Sequence, residues 1–392
     1  MQVQRKELNF EGQNIYVGLD VHLKSWTVCI MTEHLEHKRF TQPPKADVLY
    51  KYLTRNFPGA TYHSVYESGF SGFWAHRQLT SLGINNMVTN AADVPTGQKE
   101  KIRKDDPVDS RKLARSLRSK ELEAIYVPDE STLEERVLVR TRNTLVKDMT
   151  RFKSRIKSFL YFFGIPYPER FSNSGNHWSK NFLRWLKEDV QLSEESGKQT
   201  LALMIQEVEE QRRLLLQTLL QIKQLSEKEK YSSNVKLLKT VPGIGLVTAM
   251  HFLTEIETLE RFEDSDHFAA FVGLVPDRHN SGDVKNEGEI TFRGQSILKK
   301  CIIESSWIAA RKDPALSLAY NKYVARMEPN KAIIRVARKL LNRIYFVLKN
   351  KKEYVKCVVK WILSNNLYHK VTAKSPMQFR LLLTECGTFL PG

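Results

Sequence analysis

The stretch IYVGLDV, residues 15–21, decides the fold, because it places one acidic residue, Asp20, inside an otherwise apolar β-strand pattern. An ionised carboxylate at such a position is costly unless a cation accompanies it. The segment SWTVCIM (25–31) is rich in strand-forming residues, and EHKRFTQ (36–42) follows as a third strand. The sequence therefore predicts three consecutive antiparallel strands with a carboxylate on the first.

The segments that follow alternate between helix and strand. Apolar spacing favours helices over residues 46–57 and 73–83, and the second helix is stopped by a glycine. Residues 63–68 and 84–89 have strand-like composition. The predicted order is βββαβαβ, which indicates an α/β domain.

Three further acidic residues accompany Asp20. Glu67 ends a predicted strand before a Ser-Gly turn, and functional sites usually form at strand ends in mixed α/β sheets. Asp106 and Asp109 lie three residues apart at a predicted helix start, so both project from the first turn. Four such acids repel one another unless cations bind, as in a two-metal phosphoryl-transfer site. Oxygen ligands suit Mg²⁺, with Mn²⁺ as the alternative.

The order of the elements, with acids on the first strand, the fourth strand and a late helix, matches the ribonuclease-H-like arrangement. Each acid also has an ordinary structural interpretation. Asp106 is a good N-cap followed by Pro107, Asp109 suits the helix dipole, and Asp20 could face a turn. In that case the chain would be a non-catalytic nucleic-acid scaffold.

The composition favours a soluble protein that binds polyanions. Lys and Arg number 61 against 44 Asp and Glu, which gives a net charge of +17. No apolar run approaches the ~20 residues that span a bilayer, and the N-terminus has no signal core. The four cysteines are scattered without a CxxC pair, which predicts reduced thiols instead of a zinc site. We expect a cytoplasmic protein with no membrane partner.

The chain length predicts two or three domains. We expect the α/β catalytic domain over residues 1–128 and a helical region over 129–234. Its two long helices, about 131–163 and 199–230, form either an antiparallel pair or a dimerising coiled coil. A mainly α domain follows over 235–350, and residues 351–392 form a helical tail without an interpretable motif.

Two motifs stand out in the mainly α domain. VPGIGLVTA (241–249) resembles a helix-hairpin-helix, in which the amides of Gly243 and Gly245 would hold phosphates, although a glycine turn between packed helices is the alternative. Further on, a polar, glycine-punctuated loop carries Ser281 before Gly282. The nearby cations that could bind a phosphate are Arg278, Lys285 and Arg293. By composition alone, this serine is a turn residue.

Six segments, in order, resemble those of the DEDD-type insertion-sequence transposases, relatives of the pilin-gene invertase. They are YVGLDVH (16–22), VYESG (65–69), KDDPVDSRKLA (104–114), VPGIGLVTA (241–249), FVGLVPDRHNSG (271–282) with GEITFRG (288–294), and KAIIRVARKLL (331–341). The resemblance implies a RuvC-like N-terminal domain whose catalytic and metal-binding tetrad is Asp20, Glu67, Asp106 and Asp109. It also implies that Ser281 is a nucleophile.

Family members are implied to cut and rejoin donor and target DNA through a covalent phosphoserine. The serine of one subunit completes a composite site with another subunit's carboxylates, which implies a homo-oligomer, either a dimer or a tetramer. The family is also implied to bind a structured noncoding guide RNA, a bridge RNA that pairs with both DNAs. The resemblance therefore also implies a bacterial or archaeal protein that is associated with the nucleoid.

Basic residues on the first long helix are expected to grip the nucleic-acid backbone, unless they form a solvated coiled-coil face. The series is Arg136, Arg140, Arg142, Lys147, Arg151, Lys153, Arg155 and Lys157. The other expected contacts are Lys104, Arg111, Lys112 and Lys299. Two alternatives keep catalysis: a metal-dependent junction nuclease that uses water and leaves Ser281 idle, and a protein-guided DNA invertase.

Overall fold

The structure, a computed structural model, describes residues 9–95, 106–281 and 284–356, and gives the backbone alone over 277–281 and 284–289. The chain separates into two compact units, Met1–Pro128 and Asp129–Gly392. The finer division of the second unit at residues 234 and 350 stays a prediction. Most of the expected tail, 357–392, lies outside the described residues.

The N-terminal unit is built on a mixed five-stranded sheet in the order β3-β2-β1-β4-β5. Strands β1 (Asn14–Val21), β2 (Trp26–Met31) and β3 (Glu36–Gln42) pair antiparallel. Strand β4 (Thr61–Glu67) pairs parallel with β1, and β5 (Asn85–Thr89) pairs parallel with β4. The predicted order of these strands along the chain and the antiparallel pairing of the first three are confirmed.

The α-helices that the structure describes in this unit are α1 (Ala46–Asn56), α2 (Trp74–Ser81) and α3 (Asp106–Arg118). Gly18 explains how α3 reaches the sheet. A Cβ atom on Gly18 would lie 2.0 Å from the carbonyl oxygen of Ser110 and 2.4 Å from the amide nitrogen of Ala114. The glycine inside IYVGLDV therefore allows direct backbone contact between β1 and the helix that carries Asp106 and Asp109.

The C-terminal unit begins with two long helices, α4 (Glu130–Phe162) and α6 (Glu195–Glu227), with the short α5 (Lys180–Glu188) between them. Arg155 pairs with Glu207 at 3.9 Å, and Lys228, just beyond α6, pairs with Glu135 at 3.4 Å. Because these contacts join opposite ends, the helices form an antiparallel pair within one chain. Of the two arrangements left open by the sequence, this is the one observed.

The rest of this unit is mainly helical around a buried apolar core that includes Phe252, Phe268 and Leu340. Its helices are α7 (Glu229–Thr240), α8 (Leu246–Ile256), α9 (Ser265–Val272), α10 (Ser296–Lys312), α11 (Pro314–Val324) and α12 (Pro329–Asn350). Between α9 and α10, the predicted loop is instead a two-stranded antiparallel hairpin, β6 (Pro276–Ser281) and β7 (Val284–Ile290). Backbone pairing forms it, and the polar side-chain pattern did not indicate strands. We call residues 276–290 the serine hairpin.

Two smaller expectations concern cysteines and membranes. The cysteines that the structure describes, Cys29 and Cys301, are both free thiols. Within the described ranges, every helix is too short or too polar to cross a bilayer.

Candidate active site

Asp20 lies near the end of β1, and His22 follows two residues later. Strand periodicity places residues two apart on the same face, and the His22 Nε2 lies 3.2 Å from the Asp20 Oδ2. Asp106, the first residue of α3, completes a group in which one ligand atom from each residue lies within 4.8 Å of the others. The loop after β1 and the start of α3 therefore meet at one point.

The environment of Asp20 favours binding of a cation. Burial raises the pKa of the Asp20 carboxyl above its ordinary value of 3.8, and the charges of Asp106 and Asp109 raise it further. His22 opposes this shift by its charge and its hydrogen bond. A bound cation would stabilise the charged form of this carboxylate against both the burial and the repulsion.

Glu67 and Asp109 form a second half of the site, joined by a lysine. The Nζ of Lys112 lies 3.5 Å from the Glu67 Oε1 and 3.4 Å from the Asp109 Oδ1. Lys112 is only 7% exposed. Its ammonium group is buried and paired with carboxylates, and its expected contact with nucleic acid stays a prediction. We call Asp20, Glu67, Asp106 and Asp109 the carboxylate cluster.

The donor set of Asp20, His22 and Asp106 fits one divalent ion. A six-coordinate ion with ligands at about 2.1 Å has donor atoms up to about 4.2 Å apart, which small side-chain rotations reach from the observed spacing. Two carboxylates suit Mg²⁺, and the added imidazole is well tolerated by Mn²⁺. The sequence interpretation assigned no role to His22, although its period-two spacing from Asp20 was a usable signal.

An exposed aromatic ring borders this site. Phe70, which is 85% exposed, has its ring centroid 5.7 Å from that of His22. Arg111 on α3 pairs with Glu36 at 2.8 Å, and 59% of its side chain remains exposed. Lys104 lies outside the described residues.

Ser281 ends β6 and is paired in register with Val284 at the start of β7. The side chains of Ser281, Arg278 and Lys285 are outside the described part of the chain, as is the whole of Gly282. Their predicted roles remain untested by the geometry.

The base of the serine hairpin is held by close backbone contacts. Gly273, with φ +81°, ends α9, and Gly294 has φ +98°. A Cβ atom on Gly294 would lie 2.6 Å from the Cα of Gly273. The Lys299 Nζ donates to the carbonyl oxygens of Thr291 at 2.6 Å and Arg293 at 3.3 Å. Lys299, expected to contact nucleic acid, thus binds the protein's own backbone, while Arg293 itself is exposed.

The basic residues on α4 are of two kinds, those that pair with a buried carboxylate and those whose side chains are exposed. Arg140 binds Glu255 in two contacts, Nε to Oε1 at 2.6 Å and Nη2 to Oε2 at 2.7 Å, and the Glu255 side chain is fully buried. The buried carboxylate of Glu255 needs this partner, while 42% of the Arg140 side chain stays exposed, and the expected contact of Arg140 with nucleic acid stays a prediction. Lys147, Arg151 and Arg155 are exposed, and the two arginines line a groove with Ser154 and Ser158.

The glycine turn between α7 and α8 has a packing function. Gly243 has φ +86°, and a Cβ atom there would lie 2.3 Å from the carbonyl oxygen of Ser305 on α10. Gly243 therefore allows this turn to approach the backbone of α10 closely, and its expected contact with phosphate stays a prediction. Gly245 is exposed, with open space around it, and it precedes the first residue of α8.

Two family models match this sequence. A model described as "Transposase", of the DEDD type, covers residues 17–164, and one described as "Transposase IS116/IS110/IS902 family" covers residues 235–321. Together they include more than half of the chain, the whole carboxylate cluster and the serine hairpin.

Known relatives agree with these matches. The chain is 28% identical over 242 residues to a putative transposase of Sinorhizobium fredii, covering 62% of this chain and 57% of that protein. It is 25% identical over 257 residues to the transposase for insertion sequence element IS1533 of Leptospira borgpetersenii, with 64% and 72% covered. The pilin gene-inverting protein of Moraxella bovis is 33% identical over 127 residues, 31% of this chain and 38% of that protein. The chain therefore belongs to the IS110-type family of insertion-sequence transposases.

Proposed function

We propose that this protein is a DNA transposase, a recombinase that cuts and rejoins DNA strands. The observation that carries the proposal is the meeting of Asp20, His22 and Asp106 within 4.8 Å at one end of the sheet. Membership of a transposase family supports it. We propose further that the N-terminal unit is a ribonuclease-H-like, RuvC-like domain, since its order of three antiparallel and two parallel strands fits that arrangement.

Divalent metal, Mg²⁺ or Mn²⁺, is the cofactor that this site would hold through Asp20, His22 and Asp106. When bound, it would neutralise the scissile phosphate and lower the barrier to attack at phosphorus. Asp20 and Asp106 would hold the phosphate's position through that cation. In the metal-free site, His22 would orient Asp20 by the hydrogen bond between its Nε2 and the Asp20 Oδ2.

Ser281 is the proposed nucleophile. Its Oγ forms a bond to phosphorus while the bond from phosphorus to one bridging ester oxygen breaks. The serine proton passes to a carboxylate base, and the departing oxygen gains a proton to become a free hydroxyl end. The phosphoserine retains the energy of the broken phosphodiester for rejoining. In a dimer or tetramer, the serine of one subunit would act with the carboxylates of another.

Donor and target DNA and a bridge RNA are the proposed partners. The exposed Lys147, Arg151 and Arg155 on α4 offer cations to phosphates, beside the hydroxyl groups of Ser154 and Ser158. Near the metal centre, the exposed ring of Phe70 offers a face on which a base can stack. The sequences of the donor and target DNA would then be recognised by base pairing with the bridge RNA.

A protein-guided invertase is the second candidate. The 33% identity to the pilin gene-inverting protein over 127 residues favours it. A noncoding stretch beside the gene that pairs with both the element ends and the target would support RNA guidance. Its absence, together with recombination by protein and DNA alone, would favour the invertase.

The test is a denaturing gel of labelled donor and target DNA incubated with Mg²⁺ and either the wild type, Ser281→Ala or Asp20→Asn. We expect a covalent protein-DNA band that both variants lose. Asp47→Asn, which changes an exposed carboxylate on α1, is the matched control and should keep the band. Cleavage that survives Ser281→Ala but not Asp20→Asn would instead make the protein a metal-dependent junction nuclease.

A further inference from the structure

Lys112 is an unusual residue to find inside an acidic site. Lysine is almost never fully buried unless it is paired, and this lysine is 7% exposed with two carboxylate partners. Both partners, Glu67 and Asp109, belong to the carboxylate cluster. The lysine is therefore part of the site itself.

The position of Lys112 is fixed by the backbone. It lies one turn after Asp109 on α3, and the backbone of Ser110 and Ala114, two residues before and after it, packs against Gly18 of β1. Because that contact is made by backbone atoms at the point where the helix meets the sheet, α3 has little freedom to withdraw. Lys112 therefore stays between the two carboxylates.

The cluster thus divides into two halves of different chemistry. Asp20, His22 and Asp106 bring donor atoms within 4.8 Å of one another, a spacing that suits a divalent ion. Glu67 and Asp109 instead face an ammonium group at 3.5 and 3.4 Å. In two-metal sites the ions lie about 3.5–4 Å apart and share a carboxylate set of this kind, so a second ion would compete with Lys112 for these oxygens.

We propose that Lys112 is the second cation of this site, so that each chain binds one divalent ion and the lysine replaces the other. The proposal rests on the proposed function, since it assumes that the carboxylate cluster binds metal. It replaces the two-metal arrangement expected from the sequence. Lys112 acts as a positioning residue that holds Glu67 and Asp109 and limits the metal content of the site.

Charge balance explains the consequence of removing the lysine. With one divalent ion bound, four carboxylates and Lys112 leave one uncompensated negative charge. Without the lysine they leave two, which a second divalent ion cancels. Loss of the ammonium group also frees the oxygens of Glu67 and Asp109 to act as ligands.

The test is to titrate the full-length protein with Mn²⁺ and count bound ions by calorimetry and by the electron paramagnetic resonance signal of free Mn²⁺. We expect one tightly bound ion per chain in the wild type and in Lys112→Arg, which keeps the charge. Lys112→Met should bind two, with the broadened spectrum of a coupled pair. Lys51→Met, which removes an exposed lysine paired with Asp47 at 3.8 Å, is the control and should bind one.

Asp20→Asn separates this inference from the proposed function. It should weaken the wild-type site at least tenfold. Two ions in the wild type, or one ion at unchanged affinity in a folded Lys112→Met, would overturn the role of Lys112 and leave the metal centre standing. No Mn²⁺ bound by the wild type would overturn the metal centre and this inference with it. The number of Mn²⁺ ions bound by the wild type does not depend on any variant. The proposal can therefore be contradicted even if Lys112→Met folds poorly.

Discussion

The carboxylate cluster and the serine hairpin are held in place in different ways. The cluster draws its side chains from β1, β4 and α3, and the contact of Gly18 with the α3 backbone sets their spacing. The serine hairpin is one continuous ribbon, held at its base by Gly273, Gly294 and Lys299. The position of the metal-binding groups therefore depends on packing between elements, whereas the position of the serine hairpin depends on two glycines and one lysine at its base.

The largest effect is expected at the cluster. Asp20→Asn should lower Mg²⁺-dependent strand cleavage by about 10³-fold or more, because it removes a charge from the metal site. Its stability without metal should equal or exceed that of the wild type, since it also removes a repelled carboxylate. Cleavage rates and urea denaturation in EDTA, measured on the same preparation, separate the two effects. A large loss of stability in this variant would contradict the account.

Gly18→Ala should break the packing on which the cluster depends. The added Cβ would lie 2.0 Å from the Ser110 carbonyl oxygen, so α3 must move away from the sheet. Such overpacking should cost about 2 kcal/mol or more and carry Asp106 and Asp109 out of position. Urea denaturation and Mn²⁺ titration should show both losses. If the variant were less stable to urea but bound Mn²⁺ with normal affinity, the cluster would tolerate movement of α3.

Gly294→Ala makes the matching change at the serine hairpin. Gly294 has φ +98°, and a Cβ atom there would contact Gly273, so we expect a cost of about 1–3 kcal/mol. Strand transfer should fall strongly while Mn²⁺ binding stays at the wild-type value. If Mn²⁺ affinity fell as it does in Gly18→Ala, the two regions would not be independent.

The pH dependence of stability should sharpen the account of Asp20. Its pKa in the folded protein is raised above the ordinary value of 3.8, mainly by burial, so its contribution to the free energy of unfolding is fully present below pH 3.8. This stabilising contribution of Asp20 is lost as pH rises through the higher pKa that Asp20 has in the folded protein. In EDTA, the wild type should therefore lose stability relative to Asp20→Asn as pH rises from about 4, and Mg²⁺ should reverse the loss. Parallel stability curves for the two proteins would argue against a repelled carboxylate.

The smallest effects distinguish the two kinds of arginine on α4. Arg140→Met removes a partner of the buried Glu255 and should cost about 1–3 kcal/mol, with Arg136 still nearby at 3.6 Å. Arg151→Met should change stability by less than about 0.5 kcal/mol and reduce the salt dependence of nucleic-acid binding by about one charge. Thermal denaturation and binding at several salt concentrations would check both. An unchanged salt slope in Arg151→Met would remove α4 from the binding surface.

Much of the N-terminal unit could be predicted from its sequence because its strands and helices have strong local patterns. The alternation in IYVGLDV, the glycine stop after α2 and the Asp-Pro helix start each act within a few residues. The place of Asp20 on the first strand and Asp106 at a helix start followed from the same local signals. Local patterns do not report which face of a helix will be buried.

For that reason the roles of Lys112 and Arg140 could not be predicted. Both were assigned to a nucleic-acid surface by their charge, yet each pairs with buried or half-buried carboxylates from another element. Lys299 likewise binds backbone carbonyls that only the folded hairpin brings near it. His22 was different, since its two-residue spacing from Asp20 could have indicated its place in the site.

The most direct test of the proposed recombinase is to locate the covalent bond. The protein would be incubated with Mg²⁺ and a nicked DNA substrate that traps the intermediate, then digested, and the nucleotide-bearing peptide identified by mass spectrometry. We predict one modified peptide, containing Ser281, that is absent with EDTA and absent in Asp20→Asn. Cleaved DNA with free ends and no modified peptide, or a nucleotide on another residue, would contradict the serine mechanism.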